Sequence, residues 1–276
     1  MDPKPSREAK DHVFVDMFNQ LKYCFQLFRA LHPEATDITE EDISNITLSH
    51  VLVDKPYNDL GFTVKDRLIV LVEAQSEWSY NILPRLLMYF LDTLRAYIDR
   101  MELDVHSLAK IEIPEPEFYV IYTGNKVVPP RISFKDDFLM NPDAKIDLVA
   151  KVISAENEDD IIGQYIIFAH VFDAQVKKHG RVKKAIEETL RICRDRGVLR
   201  EYLESHAEEV MTAMLSMFDQ EKSVTLFGKR KEREGKIQAY AEMVDDGDLT
   251  VERAAEKLGM TVQEFQRAVE NLKETA

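Results

Sequence analysis

Five consecutive aliphatic residues, Leu68-Ile69-Val70-Leu71-Val72, run without interruption and then break off into Glu73-Ala74-Gln75. Side chains alternate across a strand, so a run that is apolar at every position needs apolar cover on both faces. Residues 67–73 are therefore expected to be a central strand with layers above and below it. Asp59-Leu-Gly-Phe-Thr-Val64 reads as the strand before it, and Lys65-Asp66 as a two-residue hairpin connection. Residues 49–54 suggest an earlier strand, closed by the turn-forming Lys55-Pro-Tyr-Asn58. Upstream, Val13, Phe14, Met17, Phe18, Leu21, Phe25, Leu27, Phe28 and Leu31 recur at helical spacing. They predict one amphipathic helix of about five turns, ending at His32-Pro33. Residues 80–99 predict a second helix, residues 118–122 a fourth strand and residues 145–153 a fifth. The order α-β-β-β-α-β-β gives an α/β chain: a mixed central sheet flanked by helices.

Beyond Ser154 only helical patterns remain, at residues 160–178, 181–195 and 199–220. The charged stretch 228–235 has no apolar periodicity and reads as a linker or an exposed helix. Residues 250–265 look like helix, glycine turn, helix, with Gly259 at the turn. The expected division is a core over 1–155, a helical extension packed on it over 156–225, and a charged linker with a small helix-turn-helix-like tail over 226–276.

Hydrophobic residues make up 45% of the chain and charged ones 31%, as in ordinary soluble proteins. No stretch approaches the roughly 20 apolar residues of a membrane span, so no membrane association is expected. The polar start MDPKPSREAKDH does not read as a secretion signal. Cys24 and Cys193, the two cysteines, each fall inside an apolar helical pattern, which suggests buried free thiols and a cytoplasmic protein. The net charge of −14 weighs against a simple nucleic-acid binder. Two stretches run the other way: Lys177, Lys178, Arg181, Lys183 and Lys184, candidate contacts to a DNA backbone, and Lys229-Arg230-Lys231-Glu232-Arg233. Screening limits distant acidic charge to about 8 Å, so a local basic groove remains compatible with the total. There is no paired histidine spacing for zinc, no glycine-rich phosphate loop and no Gly-x-Ser-x-Gly elbow.

The chemistry concentrates in residues 58–89. Asp59 opens one strand, and Glu73 lies near the end of the strand paired with it through a short connection, so the two meet at one sheet end. Alternation puts Gln75 on the face of Glu73, with Ala74 on the other. Two converging carboxylates repel unless a cation neutralises them, and hard oxygen donors suit Mg²⁺ or Mn²⁺. Plainer roles compete: an aspartate after a turn is common, and a glutamate ending a buried strand can simply reach water. Asp11 and Asp16 fit capping or solvent roles better than an outer carboxylate. Tyr89, Tyr119 and Tyr122 fit packing better than base stacking.

The Asp…Glu-x-Gln arrangement on this order of elements resembles the PD-(D/E)XK nuclease superfamily. Within it the chain is similar to the bacterial PD-(D/E)XK family transposases, or recombination-promoting nucleases. The likeness rests on Asn58-Asp-Leu-Gly-Phe62, Leu71-Val-Glu-Ala-Gln-Ser76, Pro84-Arg-Leu-Leu-Met-Tyr89, Pro116-Glu-Phe-Tyr-Val-Ile-Tyr-Thr-Gly124, Asp160-Ile-Ile-Gly-Gln-Tyr165 and Glu188-Thr-Leu-Arg-Ile-Cys-Arg-Asp195. It spans residues 13–203. The resemblance implies a restriction-endonuclease-like core and a Mg²⁺- or Mn²⁺-dependent DNA endonuclease linked to recombination or mobile elements. It makes Asp59, Glu73 and Gln75 catalytic, with Asp59, Glu73 and the Ala74 carbonyl holding the metal. Gln75 stands where most of the superfamily has Lys; Gln is usual in the resembled family but brings no charge. Arg85 is a candidate to supply that charge at a phosphate, against a plain salt bridge to a neighbouring helix. Cutting both strands requires two sites, so a homodimer is expected. A rival class is a nuclease-fold regulator that binds DNA or protein without useful catalysis, favoured by the acidic charge and the missing Lys. An RNA-processing nuclease would share the same site. The tail's second helix offers Gln263, Gln266 and Arg267 but also Glu264 and Glu270, which argues against reading a DNA sequence and for a module of self-association or target positioning.

Overall fold

The computed structural model describes residues 7–46, 59–65, 68–139, 141 and 143–275. The chain divides into two compact units, Met1–Phe218 and Asp219–Ala276.

The first unit is built on a six-stranded mixed sheet of order β1-β2-β3-β4-β6-β5. Its strands are β1 (Ile43–Ile46), β2 (Asp59–Val64), β3 (Leu68–Gln75), β4 (Glu115–Tyr122), β5 (Arg131–Ser133) and β6 (Val149–Ile153). β1, β2 and β3 pair antiparallel, β4 and β6 continue parallel to β3, and β5 closes the far edge antiparallel to β6. The helix α3 (Ile82–Arg100) makes the crossover from β3 to its parallel neighbour β4, as a parallel pair requires. The chain is thus mixed α/β, as the sequence expects.

The aliphatic run of β3 is covered on both sides. Val70, Val72 and Ala74 join one core with Phe14, Phe18, Leu27, Tyr119, Ile121, Tyr165 and Phe168. That core holds α1 (Arg7–Phe18), α2 (Leu21–Leu31), α5 (Ile161–His179), α6 (Lys183–Arg196) and the first part of α7 (Arg200–Asp245). Leu71 joins the other core with Ile82, Leu83 and Leu86 of α3, and with Phe118, Val120, Ile132 and Ala150. The short helix α4 (Phe134–Asp137) contributes its Phe134 there.

Several boundaries depart from the sequence expectation. The single N-terminal helix is two helices, because Gln20 takes an extended backbone (φ −81°, ψ 124°). The break re-phases the apolar face: continued spacing would bury Leu21, yet Leu21 is exposed, while Tyr23, Cys24, Leu27 and Phe28 are buried. β1 falls at Ile43–Ile46; the strand expected over 49–54 lies outside the described residues. The β2–β3 connection holds three residues rather than two, since Val64 pairs with Leu68, and it opens with Lys65 at φ 50°. β5 and α4 enter between β4 and β6, so the order of elements is longer than α-β-β-β-α-β-β. Of the two readings of the charged stretch 228–235, the exposed helix is the one present, within α7, whose backbone departs from helix at His206 (φ −125°, ψ 18°).

The second unit packs Ile237, Ala254, Ala255 and Phe265 with Tyr240, Val244, Leu258, Val269 and Leu272. Helices α8 (Val251–Lys257) and α9 (Val262–Thr275) flank Gly259. Its φ of 66° is the left-handed conformation a glycine adopts without strain. Thr261 and Glu264 cap α9 reciprocally, the Thr261 N–H donating to Glu264 Oε2 at 2.8 Å and the Glu264 N–H to Thr261 Oγ1 at 3.3 Å. Among the described residues no helix is long and apolar enough to cross a membrane.

Lys10 of α1, 1% exposed, donates to Asp173 Oδ2 of α5 at 2.7 Å, an ion pair that locks these two helices together. Removing the carboxylate leaves a buried ammonium. Asp173→Ala is expected to cost about 3–5 kcal/mol in urea unfolding, with Lys10→Met costing less because the better-exposed Asp173 can then meet water. Cys24 and Cys193 are free and buried, and burial pushes both thiols up to about 12. The native chain is therefore expected to resist alkylation at pH 8 and to label at both positions once unfolded; mass spectrometry reads the difference.

Candidate functional site

The short connection fixes the register of β2 against β3, and that register sets Asp59 directly opposite Glu73. Parallel pairing then aligns Glu73 with Val120 and Gln75 with Tyr122 on β4. The expected meeting of Asp59 and Glu73 at one sheet end is thus present at the level of the backbone. Among the described residues the β2 pairing stops at Asp59, and β3 runs on through Ala74 and Gln75.

Glu73 and Gln75 alternate with Ala74. Ala74 faces the core of α1, α2 and α5, so Glu73 and Gln75 fall on the side of Leu71, under α3. Both are buried, at 2% and 7% exposure. A carboxylate there needs a cation, because desolvation disfavours an isolated charge by several kcal/mol. Arg85, one turn into α3, supplies it: its Nη2 engages Glu73 Oε1. Arg85 does form a salt bridge, but its partner is Glu73 on β3 and not a neighbouring helix as the sequence suggests. Gln75 Oε1 and Arg85 Nε are among the buried polar atoms of this cluster that have no hydrogen-bond partner. Such atoms cost about 1–3 kcal/mol each unless a ligand, ion or water meets them.

The floor of the site extends to Tyr122, Thr123 and Gly124, within a segment that carries the resemblance, and to Trp78, which the sequence pattern did not flag. The Thr123 N–H donates to the Gln75 carbonyl at 2.9 Å, carrying the β3–β4 ladder past Tyr122. Trp78 packs edge-on against Tyr122 with ring centroids 5.7 Å apart. The available signal was that Trp78 is the sole tryptophan and lies three residues past Gln75. Gly124 sits so close to this corner that a Cβ would lie 2.4 Å from the Ser76 carbonyl oxygen and 2.3 Å from the Tyr122 hydroxyl.

The other residues singled out from sequence lie elsewhere. Asp16 accepts a hydrogen bond from the Tyr202 hydroxyl at 2.5 Å. Asp11 is buried in α1, on the opposite side of the sheet from Glu73 and Gln75. Tyr119 is buried and donates to Glu117 Oε2 at 2.5 Å, and Tyr89 packs beside the core of α3. The tyrosines pack as the sequence suggests, whereas Asp11 is buried and Asp16 holds Tyr202, neither being the capping or purely solvent role expected of them. Lys177 and Lys178 end α5, Arg181 follows Gly180, and Lys183 and Lys184 open α6. All four lysines are exposed, and Lys183 pairs with Glu187 at 3.3 Å. The run begins near the C-terminal end of α5, about 28 Å of helix from Asp160.

Among the described residues no three His, Cys, Asp or Glu side chains form a metal cluster; the Asp59 side chain is not among those described. The donor types present nevertheless fit a hard divalent cation: the Glu73 carboxylate, a carbonyl oxygen of Gln75 that has no donor, and an aspartate at the register position opposite Glu73. Compared with protein-family models, with curated proteins and with solved structures, the chain matches none.

The Gly124 corner yields a direct test. Gly124→Ala must push the Ser76 backbone or the Tyr122 ring aside, so a loss of about 1–3 kcal/mol is expected. Trp78 fluorescence in a urea titration would report both the altered packing and the lower midpoint. An unchanged spectrum and midpoint would contradict the close approach.

Proposed function

We propose that the chain is a divalent-metal-dependent endonuclease that hydrolyses phosphodiester bonds in DNA, with a restriction-endonuclease-like core of the PD-(D/E)XK transposase type. A link to DNA recombination or mobile elements follows from that resemblance. The observation that carries the proposal is the sheet end where Asp59 stands opposite Glu73 and the buried Gln75 Oε1 has no hydrogen-bond donor. The mixed sheet, antiparallel through β3 and parallel from β3 to β6 with α3 as crossover, supports the same core.

In this reading Asp59, Glu73 and the Ala74 carbonyl hold Mg²⁺ or Mn²⁺. Bound there, the ion supplies a Lewis acid that neutralises phosphate charge and acidifies an attacking water. Glu73, held rigid at the end of a two-sided strand, fixes the position of the charge. Gln75 orients the water through its amide, accepting the water's proton with Oε1 in a hydrogen bond. Arg85 lies within reach of the same carboxylate and provides the positive charge that Gln75 lacks. The acidic chain meets DNA through local basic surface, for which Lys177, Lys178, Arg181, Lys183 and Lys184 are the proposed backbone contacts. Cutting both strands calls for two such sites, hence a homodimer.

One observation favours a second reading, a nuclease-fold regulator that binds DNA or protein without cutting: the site glutamate is already neutralised by Arg85. Plasmid nicking separates the two. With Mg²⁺ or Mn²⁺ the wild type is expected to nick, and Asp59→Ala and Glu73→Gln to lose about 10²-fold or more in rate while staying folded. Cleavage that survives both substitutions removes the site assignment. A wild type inert on duplex DNA, single-stranded DNA and RNA with either ion leaves the binding reading in its place.

A further inference from the structure

We propose that Arg85 couples cation binding to phosphodiester binding by exchanging partners: its guanidinium leaves the Glu73 carboxylate for a phosphate oxygen as the cation takes the carboxylate. This rests on the reading of Glu73 as a metal-binding residue.

The argument starts from burial. Glu73 is 2% exposed, and Arg85 engages its Oε1. Arg85 holds Oε1, and a divalent cation on either oxygen of the same buried carboxylate would lie only a few ångströms from the guanidinium, where like charges repel strongly in a low dielectric. Any cation that binds Glu73 therefore competes with Arg85.

Arg85 has somewhere to go. Its side chain is 38% exposed, although the helix it stands on carries Leu83 and Leu86 into the core. The guanidinium is a planar fork with five N–H donors, a shape that matches phosphate in bidentate fashion. One donor, the Nε–H, is already buried with no acceptor. Gln75 Oε1, two residues past Glu73 on the same strand face, is buried with no donor. A donor and an acceptor left open beside one ion pair describe a site whose hydrogen bonds are completed only when ligand arrives.

Two anions competing for one arginine, and two cations competing for one carboxylate, create a thermodynamic link. Phosphate draws Arg85 away and uncovers Glu73 for the metal; the metal displaces Arg85 and makes it available to phosphate. The coupling is reciprocal, so each ligand raises the other's affinity by the same factor, in the usual range of about 5- to 150-fold. Lys in place of Gln75 would hold a permanently available charge in the site; here the charge of Arg85 is released to the phosphate only as the cation takes Glu73.

The test uses the full chain and reads binding. Calorimetry follows Mn²⁺ binding to the wild type, Arg85→Leu, Arg85→Gln and Glu73→Gln without nucleic acid. Fluorescence anisotropy of a labelled DNA duplex is then measured with and without Ca²⁺, an oxygen-liganded cation, with gels run to confirm intact DNA. In the wild type the cation should tighten duplex binding at least fivefold. Arg85→Leu should bind Mn²⁺ alone about tenfold more tightly and lose the coupling to within twofold. Should Arg85→Leu fail to fold, Arg85→Gln, which is neutral but keeps a hydrogen bond to Glu73, should show the same two changes.

If Glu73→Gln abolishes Mn²⁺ binding while both Arg85 variants bind it no more tightly than the wild type, the exchange is overturned and the metal site stands. Coupling that persists in the Arg85 variants overturns it equally. If Glu73→Gln binds Mn²⁺ as the wild type does, the cation is not at Glu73, and the site reading falls together with this inference.

Discussion

A strand that is apolar at every position must be buried on both faces, and the first unit is organised around meeting that demand for β3. Val70 and Val72 need the layer of α1, α2 and α5; Leu71 needs α3. Covering the second face with α3 also returns the chain to β4 in parallel register, which aligns Gln75 with Tyr122. The same cover encloses Glu73 and Gln75, because β3 continues as a strand past its last aliphatic residue. The polar end of an apolar strand is thus carried into the interior by the strand's own continuity. The site is a consequence of how β3 is buried.

Enclosing a carboxylate in this way has an electrostatic consequence. Glu73 could be kept neutral by protonation, paired with a fixed cation, or used by a ligand. The chain supplies Arg85 from one turn into α3, a residue whose position depends on the same helix that closes the face. Replacing a buried pair by apolar groups is often neutral or stabilising, so burying Glu73 gains little for the fold itself. Leu or Val at position 73 would continue the aliphatic run and satisfy α3 equally well. A charged residue there, beside an amide oxygen without a donor, is the feature on which the proposed metal site rests.

What the sequence made legible follows the range of the forces involved. The pairing of Asp59 with Glu73 could be read because two adjacent strands and a short connection leave little freedom, and even a one-residue error in the loop kept the two ends together. β1 and β5 were missed because four residues (Ile43-Ser-Asn-Ile46) and three (Arg131-Ile-Ser133) are too short for alternation to register, and both are edge strands fixed by neighbours. The break at Gln20 was missed because apolar residues continue on both sides of it; only the exposure of Leu21 reveals the change of phase. Residues 228–235 have no apolar face, yet Lys, Arg and Glu are strong helix formers, and pairs such as Lys236–Glu232 at 2.7 Å add to that propensity. At the site, the partner of Arg85 and the open atoms of Gln75 and Arg85 depend on tertiary placement, which no local pattern encodes.

The second unit shows why a motif and its use must be argued separately. Gly259 takes the left-handed turn that the sequence suggests, and α8 and α9 pack on Phe265 and Ala254 as a helix-turn-helix should. Glu264, which counted against a DNA-reading face, is occupied in capping α9: the Thr261 backbone N–H holds its carboxyl below the usual range. That removes one of the two acidic objections on this helix, and Glu270 remains exposed beside Arg267 and Gln266. Counted over residues 219–276, acidic side chains still outnumber basic ones. Phosphate contact needs a surplus of positive charge before base edges can matter. The fold of the tail therefore agrees with the motif, while its charge favours a role in positioning or association over sequence reading.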